Sequence, residues 1–182
     1  MSLVEVESKV KVQNADEIRR RIKRIAKFIG IEKKIDDYYC LNKNNKYPKK
    51  SLRVRDKGTK REVNFKQRLN YKNGIWAKRE VEFAVSDLRG FFELLDDFGF
   101  RRWLRKEKIT ELYRTRNGVN IELNYVKNLG YFVEIEVMCK ETWKNIEIAR
   151  KKIEGVRKIL GINKGDIEEK GYTKALWELK KR

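Results

Sequence analysis

Three pairs of glutamates stand two residues apart in stretches of alternating character: Glu5 with Glu7, Glu80 with Glu82, and Glu134 with Glu136. In an extended chain, residues two apart project from one face, so each pair presents two carboxylates side by side. Arg53 with Arg55, and Lys66 with Arg68, repeat the arrangement with positive charge, and Lys9 shares the face of Glu5 and Glu7. Converging carboxylates repel unless something positive lies between them. Magnesium or manganese suits that place, because hard divalent cations prefer carboxylate oxygen. Arginine and lysine on the same face would hold phosphate oxygens, the one through a planar fork and the other as a point charge. Acids, metal and bases together bind a polyphosphate and steady charge moving along it. The plainer alternative is a solvated sheet face carrying cross-strand ion pairs. Recurrence over several strands, with few neutral polar residues among them, holds the chemical reading level with that alternative.

Composition narrows the chemistry further. The 182 residues suit one domain, 1–182, and include 46 Lys+Arg against 27 Asp+Glu, a formal charge of +19. That field attracts anions: nucleotides, polyphosphate, nucleic acid or an acidic surface. There is no histidine, so the commonest general base and zinc ligand are missing. Cys40 and Cys139 match no metal-ligand spacing and read as reduced thiols in or near the core. No apolar stretch approaches the ~20 residues that span a bilayer, and the start carries acids rather than a signal pattern, which predicts a cytoplasmic protein without a membrane partner.

The elements that must position these residues alternate between strand and helix. Residues 3–12 have period two. Asn14 or Asp16 caps a helix carrying Ile18, Ile22, Ile25 and Ile29, with Gly30 as its stop. Residues 31–41 are extended, and 42–50, with Lys43, Lys46, Lys49, Lys50 and the sole proline, form an exposed basic loop. Strands follow at 52–55, 62–69 and 75–85, separated by turns at Lys57-Gly58 and Asn73-Gly74. A second helix opens at Ser86-Asp87, with Leu88, Phe91, Phe92, Leu95 and Phe98 facing inward. Strands at 100–116, 119–126 and 131–139 lead into a helix over 142–160 bearing Trp143, Ile146, Ala149, Ile153, Val156 and Leu160, and a last helix covers 173–180. Tyr38 and Tyr39 read chiefly as packing residues. The fold class is an α+β domain of antiparallel strands.

Several of these segments, in order, resemble the CYTH superfamily, the triphosphate tunnel metalloenzymes. Glu5-Val6-Glu7-Ser8-Lys9 resembles its acid-x-acid-x-lysine signature, and Asp36-Asp37-Tyr38-Tyr39 its aspartate-x-tyrosine segment. Leu52-Arg53-Val54-Arg55, Asn64-Phe65-Lys66, Arg79-Glu80-Val81-Glu82 and Leu129-Gly130-Tyr131-Phe132-Val133-Glu134-Ile135-Glu136 follow suit. The resemblance covers about residues 5–139 and is strongest to the class IV adenylyl cyclase-like group. It implies an eight-stranded antiparallel β tunnel with flanking helices, holding a triphosphate with Mg2+ or Mn2+. By matching position it implies Glu5, Glu7, Glu82, Glu134 and Glu136 as metal ligands, with Glu80 a further contributor. It implies Lys9, Arg53, Arg55, Lys66 and Lys108 as phosphate ligands, with Lys9, Lys66 and Lys108 closest to the chemistry. Two positions depart from the pattern: Thr110 stands where arginine is expected, and Asn124 where aspartate is expected. Losing one such donor costs ~10²–10³ in rate. Arg114 and Arg116 share strand parity with Thr110, so Arg114 is the expected substitute.

Three functions compete on this reading. The first is an adenylyl cyclase converting ATP to cyclic AMP and pyrophosphate. The second is a triphosphatase acting on tripolyphosphate, thiamine triphosphate or a nucleoside triphosphate. The third is a non-catalytic module binding nucleic acid or polyphosphate, favoured by charge and aromatic content but not by the alternating glutamates. The expected partner is a triphosphate-bearing small molecule, ahead of nucleic acid, with a homodimer left open.

Overall fold

The computed structural model describes residues 3–41, 46–56 and 61–181. The expected Lys57-Gly58 turn, Lys43 of the basic loop and the terminal Arg182 lie outside them. The strands are β1 (Leu3–Val12), β2 (Ala26–Cys40), β3 (Leu52–Asp56), β4 (Arg61–Lys72), β5 (Ile75–Ala84), β6 (Arg101–Thr115), β7 (Asn120–Val126) and β8 (Gly130–Lys140). They pair antiparallel in the order β1-β5-β4-β3-β2-β6-β7-β8, and β8 returns to β1 to close the barrel. Closure gives every strand a hydrogen-bonded neighbour on both sides, although β2 before Ile35 and β5 after Arg79 are paired on one side only.

The helices are α1 (Ala15–Ile25), α2 (Leu88–Asp97), α3 (Trp143–Leu160) and α4 (Tyr172–Leu179). Side-chain oxygens of Asn14, Asp87 and Thr142 accept the N–H groups of Glu17, Gly90 and Asn145, capping α1, α2 and α3. Gly161, at φ 68°, ends α3 in the left-handed conformation that glycine adopts without strain.

The hydrophobic core lies outside the barrel, between its wall and the helices. Val4, Val6, Ile121, Leu123, Val133 and Ile135 face outward from β1, β7 and β8 and pack against Ile18 and Ile22 of α1 and Ile146, Ala149, Ile153 and Leu160 of α3. Each such side chain, taken fully out of water, contributes ~1.5–3 kcal/mol. With apolar residues of one parity assigned to this layer, the polar residues of the other parity are forced inward.

Two expectations need correction. The first helix does not run to Gly30: it ends at Ile25, and Ala26 already begins β2, pairing with Thr115 of β6. Ile29 fits the helical spacing but sits at a bulge between Phe28 and Gly30 and is exposed, because strand pairing and the edge-to-face contact of Phe28 with Tyr113 outweigh the local pattern. The expected inner face of α2 is buried only at Leu95. Phe98 is 68% exposed, and Phe92 stacks on Tyr39 rather than entering the core. Trp143, at the first turn of α3, is 75% exposed.

Candidate active site

The inward faces of the strands carry charge almost throughout, with most of the acids on one arc and most of the bases on another. β1 contributes Glu5, Glu7 and Lys9; β8 contributes Glu134 and Glu136; β7 contributes Glu122 and Asn124. In register, Glu7 lies opposite Glu136, Lys9 opposite Glu134, and Glu122 opposite Glu134. Across the lumen, β3 contributes Arg53 and Arg55, β2 contributes Lys34 and Asp36, and β6 contributes Lys106, Lys108 and Thr110. Here Asp36 faces both Arg55 and Lys106, and Thr110 faces Asn124. Lys66 of β4 lies opposite Glu80 of β5, and Glu5 opposite Lys78. Glu5, Lys9, Lys34, Asp36, Arg53, Lys106, Lys108, Thr110, Glu122 and Asn124 are all buried. An acidic arc over β7, β8 and β1 thus meets a basic arc over β3, β2 and β6.

Within the basic arc, Asp36 accepts from Arg55 Nε at 2.6 Å and Nη2 at 3.0 Å, and from Lys106 Nζ at 2.9 Å. Burial opposes the Asp36 carboxylate, but Lys106 and Arg55 outweigh it and hold the carboxyl well below the usual range. Between the arcs, Glu122 accepts from Lys34 at 2.9 Å and from Lys108 at 2.8 Å, and Lys108 also reaches Glu134 at 3.3 Å. Burial again opposes the Glu122 charge, and Lys108 and Lys34 overcome it to keep the carboxyl low. Lys66 donates to Glu5 and Lys78 to Glu7. Burial works against the Lys66 and Lys108 ammonium groups, but Glu5 and Glu122 respectively outweigh it, so both stay charged well above the ordinary lysine range. Lys9 behaves differently. Burial lowers its pKa and Glu134 and Glu7 only partly offset this; its ammonium donates to the Lys170 carbonyl and lies 4.5 Å over the ring of Tyr172.

The donor set suits a divalent cation. Glu5 Oε1 is buried without a hydrogen-bond partner among the described residues, and the same holds for Arg53 Nε. An orphaned acceptor in the acidic arc and an orphaned donor in the basic arc match a cation and an anion. The Glu136 carboxyl is pushed up to about 8, first by burial and then by the Glu5 and Glu122 carboxylates. Among the described residues no three acids are already gathered as a ligand cluster; Lys66, Lys78 and Lys108 occupy the carboxylate oxygens instead.

Of the residues singled out in the sequence, Glu5, Glu7, Lys9, Lys108, Glu134 and Glu136 come together around β1 and β8. Arg53, Arg55 and Lys66 line the facing wall. Arg53 lies 3.6 Å from Glu82 and 3.9 Å from Glu80, placing Glu82 beside the bases and partly exposed. Arg114 is not brought to Thr110: it lies opposite Asn120 near the end of β6, exposed, and makes no ion pair among the described residues. The space beside Thr110 is used otherwise, its hydroxyl donating to Asn124 Oδ1 at 2.7 Å while Asn124 Nδ2 donates to Glu134 at 2.9 Å and Glu122 at 3.3 Å. Lys34, Lys106 and Glu122 are site residues the sequence reading passed over. Their signal was parity: Lys34 shares a face with Asp36, Lys106 with Lys108, and Glu122 with Asn124. Tyr38 packs edge-on against Trp103 and lies 5.7 Å beneath the Lys106 ammonium.

A closed eight-stranded antiparallel barrel with paired carboxylates and a basic arc inside it agrees with a family model for the CYTH domain that matches residues 3–172. The chain belongs to the CYTH family. Among solved structures, this CYTH chain is similar to the PH1012 protein of Pyrococcus horikoshii OT3, at 34% identity over 93% of this chain and 98% of that one, with a TM-score of 0.78. It shares its fold with a candidate adenylate cyclase of Vibrio parahaemolyticus, at 18% identity, coverage of 97% and 99%, and a TM-score of 0.75. It does so too with HpAC1 of Hippeastrum, a candidate adenylyl cyclase described as having a dominant triphosphatase activity, at 16% identity, coverage of 98% and 96%, and a TM-score of 0.66. Among curated proteins there is no match. No helix of the described residues is long and apolar enough to cross a membrane.

Proposed function

We propose that this CYTH barrel binds a linear triphosphate together with magnesium or manganese and catalyses displacement at one of its phosphorus atoms. The observation that carries this reading is the segregation of buried charge inside the barrel. Buried ions are costly unless matched, and a lumen with acids on one arc and bases on the other is matched to a cation bound against a polyanion. Glu5, Glu7, Glu134 and Glu136 would hold the metal, with Glu82 nearer the bases as an outer contributor. Bound there, the ion would offset charge on the phosphate oxygens and polarise a P–O bond. Arg53, Arg55, Lys66 and Lys108 grip phosphate oxygens, and Lys66 and Lys108, fixed as ammonium, stabilise charge moving toward the leaving group. Lys9, whose proton burial loosens, is the group suited to moving a proton.

In the first form of the reaction, the ribose 3′-oxygen of ATP bonds to the α-phosphorus, the bridging bond to the β-phosphate breaks, and pyrophosphate leaves as the hydroxyl gives up its proton. Resemblance to the class IV cyclase-like group supports this form. In the second, a water oxygen bonds to the terminal phosphorus and the chain loses orthophosphate. The triphosphatase activity described for HpAC1 supports this form on the shared fold. The test incubates the protein with ATP, and separately with tripolyphosphate, in magnesium or manganese, beside Glu5→Ala/Glu7→Ala. Cyclic AMP with pyrophosphate, lost in the variant, establishes the cyclase; orthophosphate establishes the hydrolase. Neither turnover nor metal-dependent triphosphate binding would return the acid pairs to a structural role.

A further inference from the structure

The Lys34 ammonium is 5% exposed as a residue, faces the lumen, and reaches its partner across an intervening strand. β2 and β7 are not neighbours: β6 lies between them, so they stand ~10 Å apart, two strand spacings. Lys34 pairs in register with Lys108, and Glu122 with Leu112. The line from Lys34 to Glu122 therefore crosses β6 at Thr110. It can do so because Thr110 is small, fully buried, and turned toward Asn124 by its own hydrogen bond. A long side chain at position 110 would fill that crossing.

Glu122 is shared between two lysines, Oε1 taking Lys34 and Oε2 taking Lys108, so one carboxylate holds two ammonium groups at a fixed spacing on the lumen wall. Lys34 Nζ also lies 3.0 Å from Glu32 Oε2, on a half-exposed side chain. An ammonium has three N–H groups, so with these two acids engaged Lys34 keeps one. Lys108, engaged with Glu122 and Glu134, keeps one as well. Lys106, Arg55 and Arg53 continue the same wall.

We propose that Lys34 is a further phosphate ligand of the lumen, projected over Thr110 and held in place by Glu122 beside Lys108. The inference rests on the triphosphate reading and names a residue of that same site. It assigns Glu122 the role of a positioning residue that spaces two cations, and it places the charge missing from position 110 on the neighbouring strand β2 rather than further along β6.

The test is a comparison of Glu122→Gln with Lys34→Met/Glu122→Gln, since the pair of variants differs only in Lys34 and leaves no unpaired carboxylate buried beside it. Binding of tripolyphosphate in magnesium is measured by titration calorimetry, with circular dichroism melts on each protein. The expected result is that Glu122→Gln, which no longer fixes both ammonium groups, binds more weakly than wild type, and that the double variant binds about tenfold or more weaker again than Glu122→Gln. Adding Lys34→Arg/Glu122→Gln should restore most of that loss. Equal affinity of the double variant and Glu122→Gln, with both folded, would overturn the assignment and leave Lys34 as a structural partner of Glu122. If wild type itself takes up no tripolyphosphate in magnesium, the triphosphate reading fails, and this inference with it.

Discussion

Replacing Asp36 with asparagine tests whether the basic arc is held together by one buried acid. Asp36 is fully buried and accepts three charge-assisted hydrogen bonds, two from Arg55 and one from Lys106. Asp36→Asn keeps the shape but leaves two guests of that carboxylate, an arginine and a lysine, facing each other in a buried wall that already holds Arg53. Removing one partner of a buried ion pair costs ~3–5 kcal/mol. At this chain length each kcal/mol moves the melting temperature by ~2–4 °C, so the expected drop is about 6–20 °C at pH 7. The sign with pH follows from the depressed carboxyl: its stabilisation is complete above the unfolded aspartate value of ~3.9 and is lost as pH falls through the folded one. The stability gap between wild type and Asp36→Asn should therefore be constant at higher pH and begin to narrow as pH falls below about 4. Because the freed cations line the lumen proposed to hold the triphosphate, saturating tripolyphosphate in magnesium should raise the melting temperature of the variant more than that of wild type. Thermal melts by circular dichroism at pH 3–8, with and without tripolyphosphate, provide the measurement. A variant that melts within about 2 °C of wild type at pH 7 would refute the reasoning, since no buried charge would then depend on Asp36.

The other expectations concern the acidic arc, a turn and the core. Asn124→Asp exchanges a donor to Glu122 and Glu134 for a third carboxylate beside them, so the variant should melt several degrees lower in chelator and recover with magnesium or manganese; an unchanged melt in chelator would argue against acid crowding. Gly74→Ala places a methyl at φ +76° and 2.5 Å from Ile167 Cδ1, and urea unfolding should show a loss of about 1–2 kcal/mol or more. Ile153→Ala empties a fully buried position between α3 and the barrel and should cost ~2–5 kcal/mol by denaturant titration, while tripolyphosphate affinity of the folded protein stays at the wild-type value.

The sequence made the wall of the barrel readable because parity does two jobs at once. In β1 the valines and the acids alternate cleanly, so their separation into an outer core and a charged lumen follows from period two alone. The end of α1 was not readable for the converse reason: Ile29 satisfies the helical spacing from Ile18, and only the pairing of Ala26–Cys40 with β6, more than sixty residues away, decides otherwise. The aromatic stripe of α2 promised burial, but that helix lies beside the barrel with only Leu95 and the Tyr39 contact beneath it. Lys34 and Lys106 stood in basic runs that resemble a solvated surface. Which lysine of such a run turns inward is set by register with Asp36 and Lys108, and register across a closed sheet is not a local property. For the same reason Arg114 was an attractive substitute for Thr110 along its own strand, whereas the nearby cation belongs to the strand next to it.

The closing seam of the barrel has a consequence for how the protein is made. β1 pairs with β8 along its whole length, from Leu3 opposite Lys140 to Val12 opposite Tyr131. A nascent chain thus carries its first strand unpaired on that side until nearly all of the barrel has been synthesised, and contacts this distant in sequence fold slowly. During that interval two open edges are exposed to neighbouring chains. The seam is also where Glu7 meets Glu136 and Lys9 meets Glu134. Closing the seam therefore removes the last adhesive edge and brings the β1 acids to those of β8 in one step: the basic arc and the β7–β8 acids can form earlier, but a cation able to bridge the seam would bind only after the zipper has shut.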